Sequence, residues 1–144
     1  MVDDSTSPAG LESVLPRKNA LSRIASSHDP REQILAANVD QLFVVGSLVQ
    51  PLFSSNRTDR ILAACAWNEI PAIVVLNKID SLWDGLRTDE EISQEVGGQI
   101  DAVSDVLGVE KDHVLAVSAQ KGLVAKITDD DQLDRKSTRL NSSH

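Results

Sequence analysis

Ala72 to Leu76 is an unbroken apolar run, β-branched in its middle, introduced by Pro71 and stopped by Asn77, Lys78 and Asp80. A run this short and this uniformly apolar reads as a strand buried on both faces. Such strands belong to parallel sheets covered by helices, and the flanking sequence supplies the partners. Upstream, Gln41 to Ser47 holds Leu42-Phe43-Val44-Val45, a first strand; downstream, His113 to Val117 is a third. Between the first and second strands, Asn56 or Thr58 caps a helix running to about Asn68, with Ile61, Leu62, Cys65 and Ala66 inward. After Asp80 comes a loop with Trp83 and Gly85, then a capping box of Thr88 and Glu91 opening a longer helix. Its stripe is Ile92, Val96, Ile100, Val103 and Leu107, more consistent with core than with cofactor contact. Gly97 and Gly98 weaken that helix by roughly 2 kcal/mol together, and Gly108 ends it. Strand, helix, strand, helix, strand predicts an α/β fold, about half of a doubly wound parallel sheet.

In open α/β sheets ligands sit beyond the carboxyl ends of the strands, which is where Asn77, Lys78 and Asp80 fall. The chemistry of Asn-Lys-x-Asp suits guanine. An ionised carboxylate only accepts hydrogen bonds, and guanine presents two adjacent donors, N1–H and the 2-amino group. Adenine presents an acceptor at N1 and nothing at position 2, so Asp80 would reject it. The Asn77 amide has a donor and an acceptor, able to reach the N7 edge and to tie neighbouring loops together. The Lys78 stem can lie along the base with its ammonium solvated. Alone, the pattern is equally compatible with an ordinary strand and a polar turn. The third strand adds to it, because it ends in Ser118-Ala119-Gln120-Lys121-Gly122. A small Ser-Ala turn lets backbone N–H groups approach a ligand, one of them donating to guanine O6.

Composition removes several other classes. Hydrophobic residues make up 41% of the 144, enough for a core, while 3% aromatics mean aliphatic packing. A net charge of −8 argues against the whole chain being a nucleic-acid surface, so any RNA contact is local. The basic candidates are Arg17, Lys18 and Arg23, among Val14, Leu15, Leu21 and Ile24. They fit either the last strand of a small β-domain with a nucleic-acid-facing edge or a solvated basic segment, and composition favours the second. Ser26 to Arg31 reads as a linker, and Glu32 to Asp40 as a lead-in to the first strand. Cys65 is the single cysteine, read as core filler, and suits a reducing cytoplasm. His28, His113 and His144 have no ligand-spaced partners, so no metal site is expected. No apolar stretch reaches membrane-spanning length and Met1 to Ala20 lacks a signal-peptide pattern, so the protein is expected in the cytoplasm. The Asp129-Asp130-Asp131 run reads as a solvated tail rather than a metal site.

None of the seven glycines stands in Gly-x-x-x-x-Gly-Lys-Ser/Thr. No loop therefore cradles phosphates, and no Lys and Ser/Thr pair serves the β/γ-phosphates and magnesium. Phosphoryl transfer is largely positioning and electrostatic stabilisation of the γ-phosphate, so this chain carries base recognition without the chemical half. No catalytic residue is expected.

Leu15-Pro-Arg-Lys-Asn-Ala-Leu-Ser-Arg23, Ile34-Leu-Ala-Ala-Asn-Val-Asp40, the helix from Asp59 and Val75-Leu-Asn-Lys-Ile-Asp80 resemble the ribosome small-subunit-dependent GTPase A family, over about residues 11–80. The resemblance implies a circularly permuted GTPase: an OB-fold, then a G domain whose guanine motifs precede its P-loop, then a zinc domain. It implies GTP/GDP as ligand, with magnesium and zinc in the full family but without their sites here. It implies action late in 30S maturation, which revives an RNA reading, a contact to 16S rRNA, for Arg17, Lys18 and Arg23. Residues 76–134 are more similar to bacterial dynamin-family GTPases, through Leu76 to Leu86, the long helix and Val117 to Ile127. Residues 135–144 resemble translated sequencing-adapter DNA. The expected layout is a disordered N-terminus and OB-fold remnant over 1–30, a partial P-loop-type G domain over 31–128, and a disordered, artefactual tail over 129–144. The reading frame is then a truncated fragment, or a chimera joined at Asn-Lys-Ile-Asp.

Overall fold

The computed structural model describes residues 2–3, 10–11, 13–26, 29–82, 87–129 and 138–139. A short antiparallel pair, β1 (Val2–Asp3) and β2 (Gly10–Leu11), precedes an antiparallel hairpin of β3 (Ala20–Ser26) and β4 (Asp29–Ala37). Then come β5 (Leu42–Ser47), α1 (Ser55–Trp67), β6 (Ala72–Asn77), a 3₁₀ turn at Ile79–Leu82, α2 (Asp89–Leu107), β7 (Val114–Val117), α3 (Ala119–Thr128) and β8 (Thr138–Arg139).

The hairpin departs from expectation. Residues read as a linker and a lead-in form β4, so the ribbon crosses the boundary drawn at residue 30. Local apolar periodicity is weak there, and the strands are held by cross-strand partners instead. The Ser22 hydroxyl donates to the Glu32 carboxylate, and Arg23 Nε donates to Gln33 Oε1 at 3.1 Å. Pro30 is tolerated because a two-stranded ribbon has outward edges that need no N–H. At its base two asparagines clasp the chain. Asn19 accepts from the Val39 N–H at 2.8 Å and donates to the Val39 carbonyl at 2.9 Å. Asn38, in the left-handed region at φ 55°, accepts from the Lys18 N–H at 2.7 Å and donates to the Pro16 carbonyl at 3.2 Å. These are the asparagines of the two motifs that carried the family resemblance.

The main sheet has the order β5-β6-β7-β8, with β5, β6 and β7 parallel and β8 antiparallel to β7. Val44, Val74 and Val114 lie in register across the three parallel strands. α1 and α2 pack against each other over one face of this sheet. Beneath them Val74, Leu76, Val114 and Ala116 meet Ile92, Val96, Ile100 and Val103 of α2, with Leu62 and Phe53 closing the side. Each fully buried aliphatic side chain contributes about 1.5–3 kcal/mol, so this layer anchors the strand ends. Opposite, Phe43 and Val45 of β5 are exposed, so the face away from α1 and α2 is open at that strand.

The longer helix follows its local signals closely. Thr88 Oγ1 accepts from the Glu91 N–H at 3.2 Å while Glu91 Oε2 accepts from the Thr88 N–H at 2.8 Å. Such a box contributes about 1 kcal/mol. The helix continues through Gly97 and Gly98 and stops at Gly108, whose φ of 64° suits a residue without Cβ. α1 differs from expectation: its cap is Ser54, two residues before Asn56 and four before Thr58, so neither of these is its cap, and Ala66 is exposed. α3 is a second difference, because Ser118-Ala119 reads as a turn in sequence; Ser118 is instead the N-cap of a helix. Trp83, Gly85, His28, Asp130, Asp131 and most of the tail lie outside the described residues.

Candidate functional site

The β6 strand delivers its polar end to the same place as the β7 strand. Leu76 is fully buried, Asn77 ends the strand in register with Ser47, and the chain leaves the sheet at Lys78, which adopts φ 68°. A non-glycine residue in that left-handed region costs about 1–2 kcal/mol, and local hydrogen bonds offset it. The Lys78 N–H donates to Asn77 Oδ1 at 2.7 Å, and the Lys78 carbonyl accepts from the Ser81 N–H at 3.1 Å and the Ser81 hydroxyl at 2.7 Å. The 3₁₀ turn that follows buries Ile79 completely and leaves Asp80 half-buried beside it.

Across the cleft, β7 ends in Ser118, which is 1% exposed. Its hydroxyl donates to Asp80 Oδ1, 38 residues away, and accepts from the Lys121 N–H at 3.1 Å. One carboxylate oxygen is thereby held in place, and Asp80 Oδ2 carries no protein donor among the described residues. Asn77 Oδ1 also accepts from the Ala119 N–H at 3.1 Å, across 42 residues. The amide therefore ties the two loops together, as its chemistry suggested, and leaves its NH₂ free of protein acceptors among the described residues. Because the Ala119 N–H is engaged, the first-turn donor of α3 left open is that of Gln120, a residue the sequence reading did not single out.

The result is a small polar arc: an oriented carboxylate with a free oxygen, an amide NH₂, and an open backbone N–H at the start of a helix. Such an arc can accept from two adjacent donors and donate to two acceptors on a planar ligand. Lys78 reaches the other way, its ammonium donating to the Gln50 carbonyl and holding the loop after β5 against the arc. Gly46 shapes that loop, since a Cβ there would come within 2.5 Å of the Phe53 ring. Cys65 is 1% exposed and burial pushes its thiol pKa up, so it stays a protonated core filler.

The structure brings together Asn77, Asp80, Ser118 and Ala119, with Lys78 adjoining. Arg17 and Lys18 are not among them. Both are exposed beside the asparagine clasp, and Arg23 is exposed on β3, bonded to Gln33. Among the described residues, no three His, Cys, Asp or Glu side chains are grouped to hold a metal ion.

Comparison with known proteins places this geometry in a lineage. The family described as RsgA GTPase matches residues 14–125. The Small ribosomal subunit biogenesis GTPase RsgA of Actinobacillus pleuropneumoniae serotype 5b (strain L20) is 40% identical over 112 residues, covering 78% of this chain and 29% of that protein. Its counterpart in Sodalis glossinidius (strain morsitans) is 38% identical over 122 residues, covering 82% and 32%. The chain thus spans about three tenths of the length of these curated relatives. The crystal structure of YjeQ from Thermotoga maritima superposes with a TM-score of 0.51 at 23% identity, covering 89% of this chain and 39% of that one, a likeness of fold. One family match runs from the asparagine clasp across Asn77 to Asp80 and through Ser118-Ala119. The dynamin resemblance of the second half, and a join at Asn-Lys-Ile-Asp, are therefore not favoured.

Proposed function

Because this chain belongs to the RsgA GTPase family, we propose that it forms the guanine-recognising part of a G domain acting in biogenesis of the small ribosomal subunit. Asp80 accepts from guanine N1–H and the 2-amino group, Asn77 donates to N7, and only the Lys78 stem adjoins the base, its ammonium being held by the Gln50 carbonyl. Ser118 orients Asp80, and the start of α3 at Ala119 closes on O6 through the open Gln120 N–H. The observation that carries this reading is the Ser118 to Asp80 hydrogen bond, which joins two strand ends 38 residues apart into one acceptor site. GTP and GDP are the ligands. No catalytic residue is assigned, because the sequence holds no Gly-x-x-x-x-Gly-Lys-Ser/Thr to hold the β- and γ-phosphates. In the permuted order that the family resemblance implies, that loop follows the guanine motifs. Titration calorimetry tests the reading: GDP should bind and ADP should not. Equal heats for the two nucleotides would refute it.

The partner proposed is the small ribosomal subunit, whose biogenesis is named for the curated relatives. We read the β3–β4 hairpin as the OB-fold remnant and the exposed Arg17, Lys18 and Arg23 as its contact to 16S rRNA. Such contacts are salt-dependent and sequence-blind. Reversing Arg17 and Lys18 to glutamate should abolish co-sedimentation with 30S subunits while leaving the GDP titration unchanged. Undiminished pelleting of that variant would remove the hairpin from the interface. No described helix is long and apolar enough to cross a membrane, and we place the protein in the cytoplasm, where ribosomes are built.

A further inference from the structure

Beside the guanine arc lies a second cleft of about 300 Å³, between the end of β5 and the start of α1. Its polar lining comes from Ser47, Ser54, Arg57, Thr58, Asn77 and Lys78, and no carboxylate contributes to it. Three observations converge there. First, the 13-residue α1 helix points its N-terminus at the cleft with no side-chain cap and no acidic residue in its first turn. The N–H groups of Ser55, Asn56 and Arg57 have no acceptor among the described residues, and the helix dipole leaves positive potential around them. Second, Thr58 lines the cleft at 6% exposure, and its hydroxyl has no hydrogen-bond partner among the described residues. A buried hydroxyl without a protein partner is costly unless water or a ligand in the cleft satisfies it, so Thr58 offers a donor to an occupant. Third, the exposed Arg57 guanidinium lines the same cleft and pairs with no described carboxylate.

We propose that this cleft is an anion site, taking a phosphate-type oxyanion on the first turn of α1, with Arg57 as counter-charge and Thr58 as a buried hydroxyl donor. The oxyanion's several acceptor lone pairs match a group of donors that share no acceptor of their own. Lys78 contributes only through its stem, because its ammonium is held by the Gln50 carbonyl. The cleft shares Asn77 and Lys78 with the rim of the guanine arc, but its unpartnered donors are its own and do not depend on that reading. A free phosphate and the phosphates of a bound nucleotide share this chemistry, and the test separates them.

Amide NMR of the full chain, titrated with inorganic phosphate against chloride at matched ionic strength, reads the site directly. Phosphate should move the amides of Ser55, Asn56, Arg57 and Thr58 in a saturable way and leave Gln120 in place. Arg57→Glu should weaken that response by about tenfold or more, and Thr58→Val, which keeps the buried volume, should weaken it as well. GDP that moves the α1 amides together with Gln120 would identify a nucleotide as the source; phosphate acting where GDP does not would identify a free anion. Amides of α1 that stay still under phosphate, follow chloride equally, or respond undiminished in both variants would overturn the proposal.

Discussion

Replacing Asp80 by asparagine is expected to erase the preference for GDP over ADP, lowering GDP affinity about a hundredfold or more. The side chain keeps its size, and the amide oxygen of the substituted side chain can still accept from the Ser118 hydroxyl that now holds the carboxylate. The change is confined to the outward atom. Where Asp80 Oδ2 accepts, asparagine presents an NH₂, so guanine's N1–H and 2-amino donors would face a donor. Two charge-assisted hydrogen bonds are lost at about 1.5–3 kcal/mol each, partly regained from solvent. A site built around a polar group discriminates most strongly when that group is left unpaired. The same inversion gives a positive control. Xanthine carries a carbonyl where guanine carries its 2-amino group, and the new amide can donate to it, so xanthosine diphosphate should gain affinity as GDP loses it. Competition calorimetry on the two proteins measures both. If Asp80→Asn binds GDP as the parent does, the carboxylate is not reading the base.

Leu76→Ala is expected to be the most damaging single truncation, destabilising the fold by about 3–5 kcal/mol. Leu76 is 0% exposed and lies at the centre of the layer between β6 and α2, in register with Ala116 of β7. Removing its branched end discards the transfer free energy and leaves a cavity that the flanking strands cannot close, because both are fixed in parallel pairing. Against a typical total of about 5–15 kcal/mol, that is a large fraction. Urea unfolding should show a lower midpoint at unchanged slope, while Val106→Ala on the 67% exposed flank of α2 shifts it little. A Leu76→Ala midpoint that moves no further than the Val106→Ala one would mean that the core lies elsewhere. Because Asn77 follows directly, the same cavity should also loosen the arc and weaken GDP binding.

Sequence and structure divide along the range of the interactions involved. The β6 strand, the polar residues that end it, and α2 with its capping box, apolar stripe and Gly108 stop are all legible in the sequence, because each signal is complete within a few residues. Asn77, Lys78 and Asp80 are legible for the same reason, lying together on one loop. The start of α1 lies two to four residues ahead of its sequence reading, and Ser54 makes no side-chain cap bond to mark it. The hairpin escapes a local reading because its strands depend on each other rather than on their own periodicity, and the Asn19 and Asn38 clasp joins residues about twenty positions apart. The chain's own residues thus determined the parallel α/β pattern and the chemistry presented at each strand end. Tertiary structure alone decided that Ser118 orients Asp80, that Asn77 rather than a ligand takes the Ala119 N–H, and that Thr58 is buried beside an uncapped helix. Each of these is a hydrogen bond, or the lack of one, set by where the crossovers bring distant strand ends together, and such a position leaves no trace in local spacing.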